Sequence, residues 1–74
     1  MSLWKWDSGT ASGVGDEDGA LAGAERHLRR QLPGARALLS EVRLVVGADL
    51  EELYEPTGVT LVGVRQADGT ITWP

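Results

Sequence analysis

Cysteine is absent from this chain, and histidine occurs once, as His27. Without cysteine the chain can form neither disulfide bonds nor thiolate metal sites, and one histidine is too few for an imidazole metal site within a single chain. A chain of 74 residues buries only about 60% of its unfolded surface, so we expect a thin core. The sequence therefore predicts one small domain, without a metal or a cofactor, that gains stability by association.

Long apolar runs are absent as well. No run approaches the roughly 18 residues of a membrane-spanning helix, and the N-terminus lacks the apolar centre of a signal peptide. These absences favour a soluble, cytoplasmic protein that does not contact a membrane. Phenylalanine and asparagine are missing and six arginines accompany one lysine, a composition that is typical of a GC-rich, bacterial gene.

The residue combinations of common catalytic sites are also missing. Ser8, Ser12 and Ser40 lie outside the glycine context of a nucleophile elbow, and all of them would depend on His27, which we expect on the solvent-facing flank of a helix. The glycines before that helix lack the lysine of a phosphate-binding loop, and residues 16–18 lack the spacing of a calcium loop. We therefore predict no catalytic, cofactor-binding or metal-binding residues and no enzyme activity.

Charge is distributed unevenly along the chain, whose net charge is −4. Residues 20–36 sum to +3, whereas residues 1–19 sum to −3 and residues 37–74 sum to −4. The simplest interpretation of the basic block is a solvated face neutralised by the chain's own acidic loops. The alternatives are recognition of an acidic protein, recognition of the same loops in a second copy, and nucleic-acid binding, which the acidic remainder of the chain disfavours.

The N-terminal residues 2–7 alternate in polarity, which places Trp4 and Trp6 on one side of a strand. We expect this strand to dock on the domain's own sheet or to pair with a second copy. Residues 8–19 are rich in glycine, serine and acidic side chains, and this composition predicts a flexible linker. The expected organisation is therefore an N-terminal strand and linker at 1–19, followed by one small α+β domain at 20–74.

A helix is predicted at residues 20–32, where apolar residues recur every three or four positions and Pro33 and Gly34 follow. Three arginines fall on the opposite side of this helix: Arg26, Arg29 and Arg30. Asp16 or Asp18 is expected to cap its N-terminus. Glu25 precedes Arg29 by four residues, which favours an ion pair on the helix surface.

Residues 35–46 fit both a helical and a strand pattern. We favour helical turns at 35–40 followed by a strand at 41–46, and the alternative is one helix over 35–46 that ends at Gly47. Two shorter features are expected next along the chain, a helical turn at 50–54 and a turn at 56–58.

The end of the chain predicts a β-hairpin with strands at 59–66 and 70–73. A two-residue loop of Asp68 and Gly69 would pair Val64 with Trp73. In that register Val62, Val64, Ile71 and Trp73 share one face, which we expect to be the core. A bulged three-residue loop over 67–69 is the alternative and would shift the pairing by one residue.

Together these features predict the α+β class: a small two-layer domain whose antiparallel sheet includes a C-terminal β-hairpin and packs against one or two helices. The expected core consists of the following residues: Leu21, Leu28, Leu32, Leu38, Leu39, Val42, Val62, Val64, Ile71 and Trp73.

The function expected from these features is that of a non-enzymatic interaction or regulatory module that binds a protein partner or forms a homodimer. The candidate partner-binding residues are Trp4, Trp6, Arg26, Arg29 and Arg30, because tryptophan and arginine are enriched where interfaces are strongest. One alternative is a nucleic-acid-associated factor that uses the basic helix at 20–32. A second alternative is a small enzyme, or an accessory subunit of an enzyme, that uses His27 or a carboxylate.

Overall fold

The computed structural model describes residues 3–73 and confirms the α+β class. Its elements are β1 (Leu3–Asp7), β2 (Ser12–Gly15), α1 (Glu17–Leu28), β3 (Arg36–Val46), β4 (Glu52–Arg65) and β5 (Ile71–Thr72). The five strands form one antiparallel sheet in the order β2-β1-β3-β4-β5. The start of the predicted first strand, at Ser2, lies outside the described residues. Within residues 3–73, α1 is too short to cross a membrane.

The helix α1 begins at Glu17 and ends at Leu28, earlier at both ends than the sequence predicts. The Asp16 carboxylate caps it by accepting a hydrogen bond of 2.7 Å from the Gly19 backbone N–H, as expected. Its buried stripe consists of Ala20, Ala24 and Leu28. Leu32 lies beyond the end of the helix, in a segment of turns, and its side chain is exposed. Its assignment to the core is therefore wrong.

The segment predicted as a flexible linker contains a strand. Residues 12–15 form β2, which pairs with β1 in a hairpin. The connecting turn is closed by a 2.9 Å hydrogen bond from the Ser8 N–H to the Ala11 carbonyl, and Gly9 adopts φ +88° there. The expectation of a linker is wrong here because β1 supplies hydrogen-bond partners that composition does not reveal.

The glycines beside Trp6 are required by its indole ring. A Cβ at Gly13 of β2 would lie 2.5 Å from the Trp6 Nε1 atom, and a Cβ at Gly23 of α1 would lie 2.7 Å from the same atom. Both distances are far below van der Waals contact, so the ring fits only because these two positions have no side chain. The indole therefore occupies the space between β2 and the helix.

The central strand β3 runs from Arg36 to Val46 and pairs with β1 on one side and β4 on the other. Both helical interpretations of residues 35–46 are therefore wrong, and only the strand at 41–46 is confirmed. Leu39 is buried against the helix, whereas Leu38 points to the opposite face and is half-exposed, so its assignment to the core is wrong. Burial of Leu39 and Val42 is confirmed.

The sequence predicts a helical turn at 50–54 and a turn at 56–58, but the strand β4 begins at Glu52 and continues through both regions. Both predictions are therefore wrong for the residues that belong to β4. Pairing with β3 shifts between Ser40 and Val42, whose partners are Thr60 and Pro56. The extra residues of β4 bulge there, and Gly58 adopts φ +106° in the bulge. Proline is tolerated because β4 has no other neighbour along this part of the sheet.

The C-terminal hairpin is confirmed, but in the alternative register. Val64 pairs with Thr72 and Arg65 with Ile71, around a three-residue loop in which Gly69 adopts φ +92°. The two-residue register is wrong, and Val62 and Val64 consequently lie on the opposite face from Ile71 and Trp73. These last four side chains are all half-buried.

In the loop of this hairpin, hydrogen bonds from the Thr70 hydroxyl and N–H lower the pKa of the Asp68 carboxyl.

The core lies between α1 and one face of the sheet, which we call the helix face. Its two clusters are Trp4, Ala20 and Leu39, and Ala24, Leu28 and Ala37. Trp6 and Trp73 pack against both clusters. Trp73 also donates a 3.2 Å hydrogen bond from Nε1 to the Glu25 carboxylate of the helix. The predicted burial of Leu28 is confirmed.

The fit of Trp6 between two glycines can be tested with Gly23→Ala. Alanine favours helices by about 1 kcal/mol, yet its Cβ would collide with a ring that Gly13 confines on its other side, so we expect a net loss of about 1–2 kcal/mol. Urea unfolding followed by tryptophan fluorescence measures this change. In the control Gly15→Ala the new Cβ meets nothing nearer than 3.8 Å, and stability should be unchanged or higher. Equal effects of the two substitutions would contradict the packing.

Candidate protein-interaction surface

The face of the sheet that α1 leaves uncovered carries many apolar side chains along its two longest strands. We call it the outer face. Strand alternation and pairing place Leu38, Val42, Leu44 and Val46 of β3 on it, beside Val64, Val62, Pro56 and Tyr54 of β4. The uncovered face of an antiparallel sheet is commonly polar, because it meets water. The outer face departs from this pattern.

Exposure of these side chains is substantial. Leu38 is 48% exposed, Leu44 43%, Val46 65% and Tyr54 40%. A single exposed leucine needs no explanation, but several large apolar side chains along one face are typical of a surface that binds another molecule. The hydroxyls of Ser40 and Thr60, 3.3 Å apart, interrupt this row between Leu38 and Val42. The row follows one hairpin, β3–β4, from beside β1 to its far end.

The far end of this hairpin projects beyond the rest of the sheet. Within residues 3–73, the last residue of β3 that pairs with β1 is Val42, opposite Leu3. In that part of the chain residues 43–55 form a two-stranded arm, closed by a turn in which the Gly47 N–H donates to the Glu51 carbonyl at 2.8 Å. Leu50 in this turn is exposed and adopts φ +61°, a conformation that costs a leucine about 1–2 kcal/mol. Two strands alone are only marginally stable in water, so the arm would gain stability from a partner.

The opposite side of the arm is polar at its base. There Arg43 approaches Glu55 at 3.8 Å, and next to the arm the Thr57 hydroxyl donates a 2.7 Å hydrogen bond to the Glu41 carboxylate. Val45 and Leu53 are the apolar pair at its tip. At the base of the arm, the side that belongs to the outer face is therefore apolar and the opposite side is charged.

A shallow groove of about 190 Å³ crosses the outer face between β1 and the bulge of β4. Its lining consists of Leu38, Ser40 and Val42 of β3 together with Lys5, Asp7, Tyr54 and Pro56. Val42 is only 5% exposed although no helix covers it. The curl of the sheet therefore gives the outer face a depression into which an apolar side chain of a partner can insert.

The sequence-predicted partner-binding residues occupy other parts of the molecule. Trp4 is buried and Trp6 is half-buried on the helix face, where both pack within the chain's own core. The three arginines are exposed: Arg26 lies on α1, whereas Arg29 and Arg30 follow the end of the helix at Leu28. Arg29 approaches Glu25 at 3.8 Å, which confirms the predicted ion pair. The structure does not bring the tryptophans and the arginines together in one exposed surface.

The environment of His27 differs from the solvent-facing position expected for it. Its ring is half-buried, lies 5.5 Å from the Trp6 ring, and places Nε2 3.0 Å from the Ser8 Oγ. Ser8 Oγ also accepts a 3.2 Å hydrogen bond from the Ala11 N–H, so the serine belongs to its own turn. No carboxylate of the described chain hydrogen-bonds to His27. The pair therefore connects α1 to the β1–β2 turn, and spacing in sequence does not reveal this contact.

Clusters that could bind a metal are not found among residues 3–73: no three histidine, aspartate or glutamate side chains converge there. No protein-family model, no curated protein and no solved structure matches this chain.

The contact between Ser8 and His27 can be tested by a double-mutant cycle with Ser8→Ala and His27→Ala. Each single variant should lose stability, because each removes a half-buried hydrogen bond between the helix and the turn. The two losses should overlap by about 0.5–1.5 kcal/mol, the usual contribution of one hydrogen bond. Urea unfolding of the four proteins gives this coupling. Strictly additive losses would show that the two side chains do not interact in solution.

Proposed function

We propose that this protein is a non-enzymatic interaction module and that the outer face is where it binds a protein partner. The observation that carries the proposal is the row of exposed apolar side chains along β3 and β4, on the side of the sheet away from α1. Burial of apolar area is the main source of favourable free energy in protein association, at about 25 cal/mol for each Å² removed from water.

Two further features support a protein as the ligand of this face. Tyr54 lies on it, and tyrosine is enriched among the residues that contribute most to interfaces. The groove beside Tyr54 is lined by apolar side chains together with Lys5 and Asp7, and protein interfaces in general combine apolar with polar and charged side chains. A nucleic-acid ligand would instead require an excess of basic side chains on the binding face.

The exposed arginines Arg26, Arg29 and Arg30 lie on α1 or just after its end, on the side of the molecule away from the outer face. The proposal therefore gives them no part in binding the partner. In this proposal Trp4 and Trp6 contribute indirectly: they hold the helix on one face of the sheet and leave the other face free.

The proposal can be tested by photo-crosslinking in the cells that produce the protein. A benzophenone amino acid replaces Tyr54 on the outer face, and in a matched variant it replaces Ala22, which is exposed on α1. We expect a protein adduct of defined mass from position 54 and none from position 22. Mass spectrometry identifies the adduct.

A second substitution tests whether the adduct depends on the apolar surface. Leu44→Asp leaves the core unchanged, because Leu44 is half-exposed and lies on the arm, but it places a charge within the row. We expect it to reduce the yield of adduct at least about tenfold, since burying an unpaired carboxylate costs several kcal/mol. Absence of any adduct from position 54, or an equal yield from position 22, would overturn the proposed function.

A further inference from the structure

We infer that the partner of the outer face is a second copy of this chain, stacked face to face with the two β3 strands running in opposite directions. This inference rests on the proposed function, since it names the protein that the outer face binds. It is carried by the charges of that face, by their positions along the hairpin, and by the size of the face.

The outer face is electrically balanced although the chain is acidic. The net charge of the whole chain is −4. The register places four charged residues on the outer face, and they cancel: Lys5, Asp7, Arg36 and Glu52. A second copy always brings the same charge as the first, so a self-associating face must be close to neutral to avoid repulsion. A partner of opposite net charge would not require this balance.

The positions of Arg36 and Glu52 match a two-fold arrangement. Arg36 begins β3, whereas Glu52 pairs with Val46 at the other end of the same strand. The two residues are separated by about 33 Å along the hairpin, since a strand rises about 3.3 Å per residue. A two-fold axis in the interface, perpendicular to β3, therefore brings Arg36 of each copy to the end where the other copy presents Glu52.

The same axis aligns the apolar side chains. With the axis near the middle of β3, Leu38 of one copy lies opposite Leu44 of the second copy, and the reverse contact forms by symmetry. Stacked sheets lie about 10 Å apart, a distance that leucine side chains fill from both sides and that arginine and glutamate bridge at the ends. The arms, which have only two strands among the described residues, are each covered by the body of the other copy.

The size of the face is sufficient for a stable dimer. The molecule measures 45 × 21 × 17 Å, so a broad face offers on the order of 800 Å². Each partner of a standard protein interface buries about this area.

The test is sedimentation velocity of the purified chain over a micromolar concentration series, with Arg36→Glu, Glu52→Arg and the double variant. Each single substitution turns two attractive contacts into two repulsive ones, and we expect the dimer dissociation constant to rise about tenfold. The double variant restores the pairs with reversed polarity and should return to within about threefold of the unsubstituted chain. Arg30→Glu, in the turn after α1, makes the same charge change away from the interface and should leave the constant unchanged.

Several outcomes would overturn the inference. These are a chain that stays monomeric throughout, a double variant as weak as the single ones, and an Arg30→Glu variant weakened like Arg36→Glu, which would place the interface on the helix. Circular dichroism of every variant excludes unfolding as the cause. Failure of this inference is distinguishable from failure of the proposed function: a monomeric chain whose position 54 still crosslinks to a different protein contradicts only the second copy as partner.

Discussion

The packing of tryptophan rings over glycine backbone is the interaction on which the rest of this structure depends. Trp6 fits between Gly13 and Gly23, and Trp73 covers Gly63 so closely that a Cβ there would lie 2.5 Å from its ring. A chain without disulfide bonds and with few large buried side chains needs such close contacts. They hold α1, β2 and β5 against the central strands.

This packing also makes the molecule one-sided. The three tryptophans all lie on the helix face, and the glycines opposite them let the single helix approach the sheet closely. The outer face receives leucine, valine and one tyrosine but no helix of its own. Among residues 3–73, the elongated shape follows from the β3–β4 hairpin, whose arm extends past Leu3 of β1 and exposes further apolar side chains. The candidate interface is therefore a consequence of how the core is built.

Some features could be predicted because they depend on neighbours in sequence. The helix cap at Asp16, the buried Leu28 and the ion pair between Glu25 and Arg29 follow from spacing along one turn of helix. The C-terminal hairpin is also local, since Gly69 marks its turn. Which loop forms there was left open by the sequence, because two-residue and three-residue loops both suit Ala67, Asp68 and Gly69.

The candidate surface could not be predicted in the same way. Exposure of Leu38 and Leu44 depends on which face of β3 the helix covers, and that choice is made by Trp4, Trp6 and Leu39 together. From the sequence alone, an apolar residue at these positions is equally compatible with a buried core position and with an exposed interface position. The contact of Ser8 with His27 likewise joins residues that come together only when the β1–β2 hairpin forms.

The sequence by itself determined the α+β class, the amphipathic helix and the hairpin at the end of the chain. The tertiary structure decided that residues 36–40 are a strand, that the glycine-rich segment pairs with β1, and which side chains face water. The physical reason is that a strand takes its hydrogen bonds from neighbours distant in sequence. A shift of one residue in the pairing of two strands also moves the side chains of one strand to the opposite face of the sheet relative to its neighbour. This is why Val62 and Val64 do not share a face with Ile71 and Trp73.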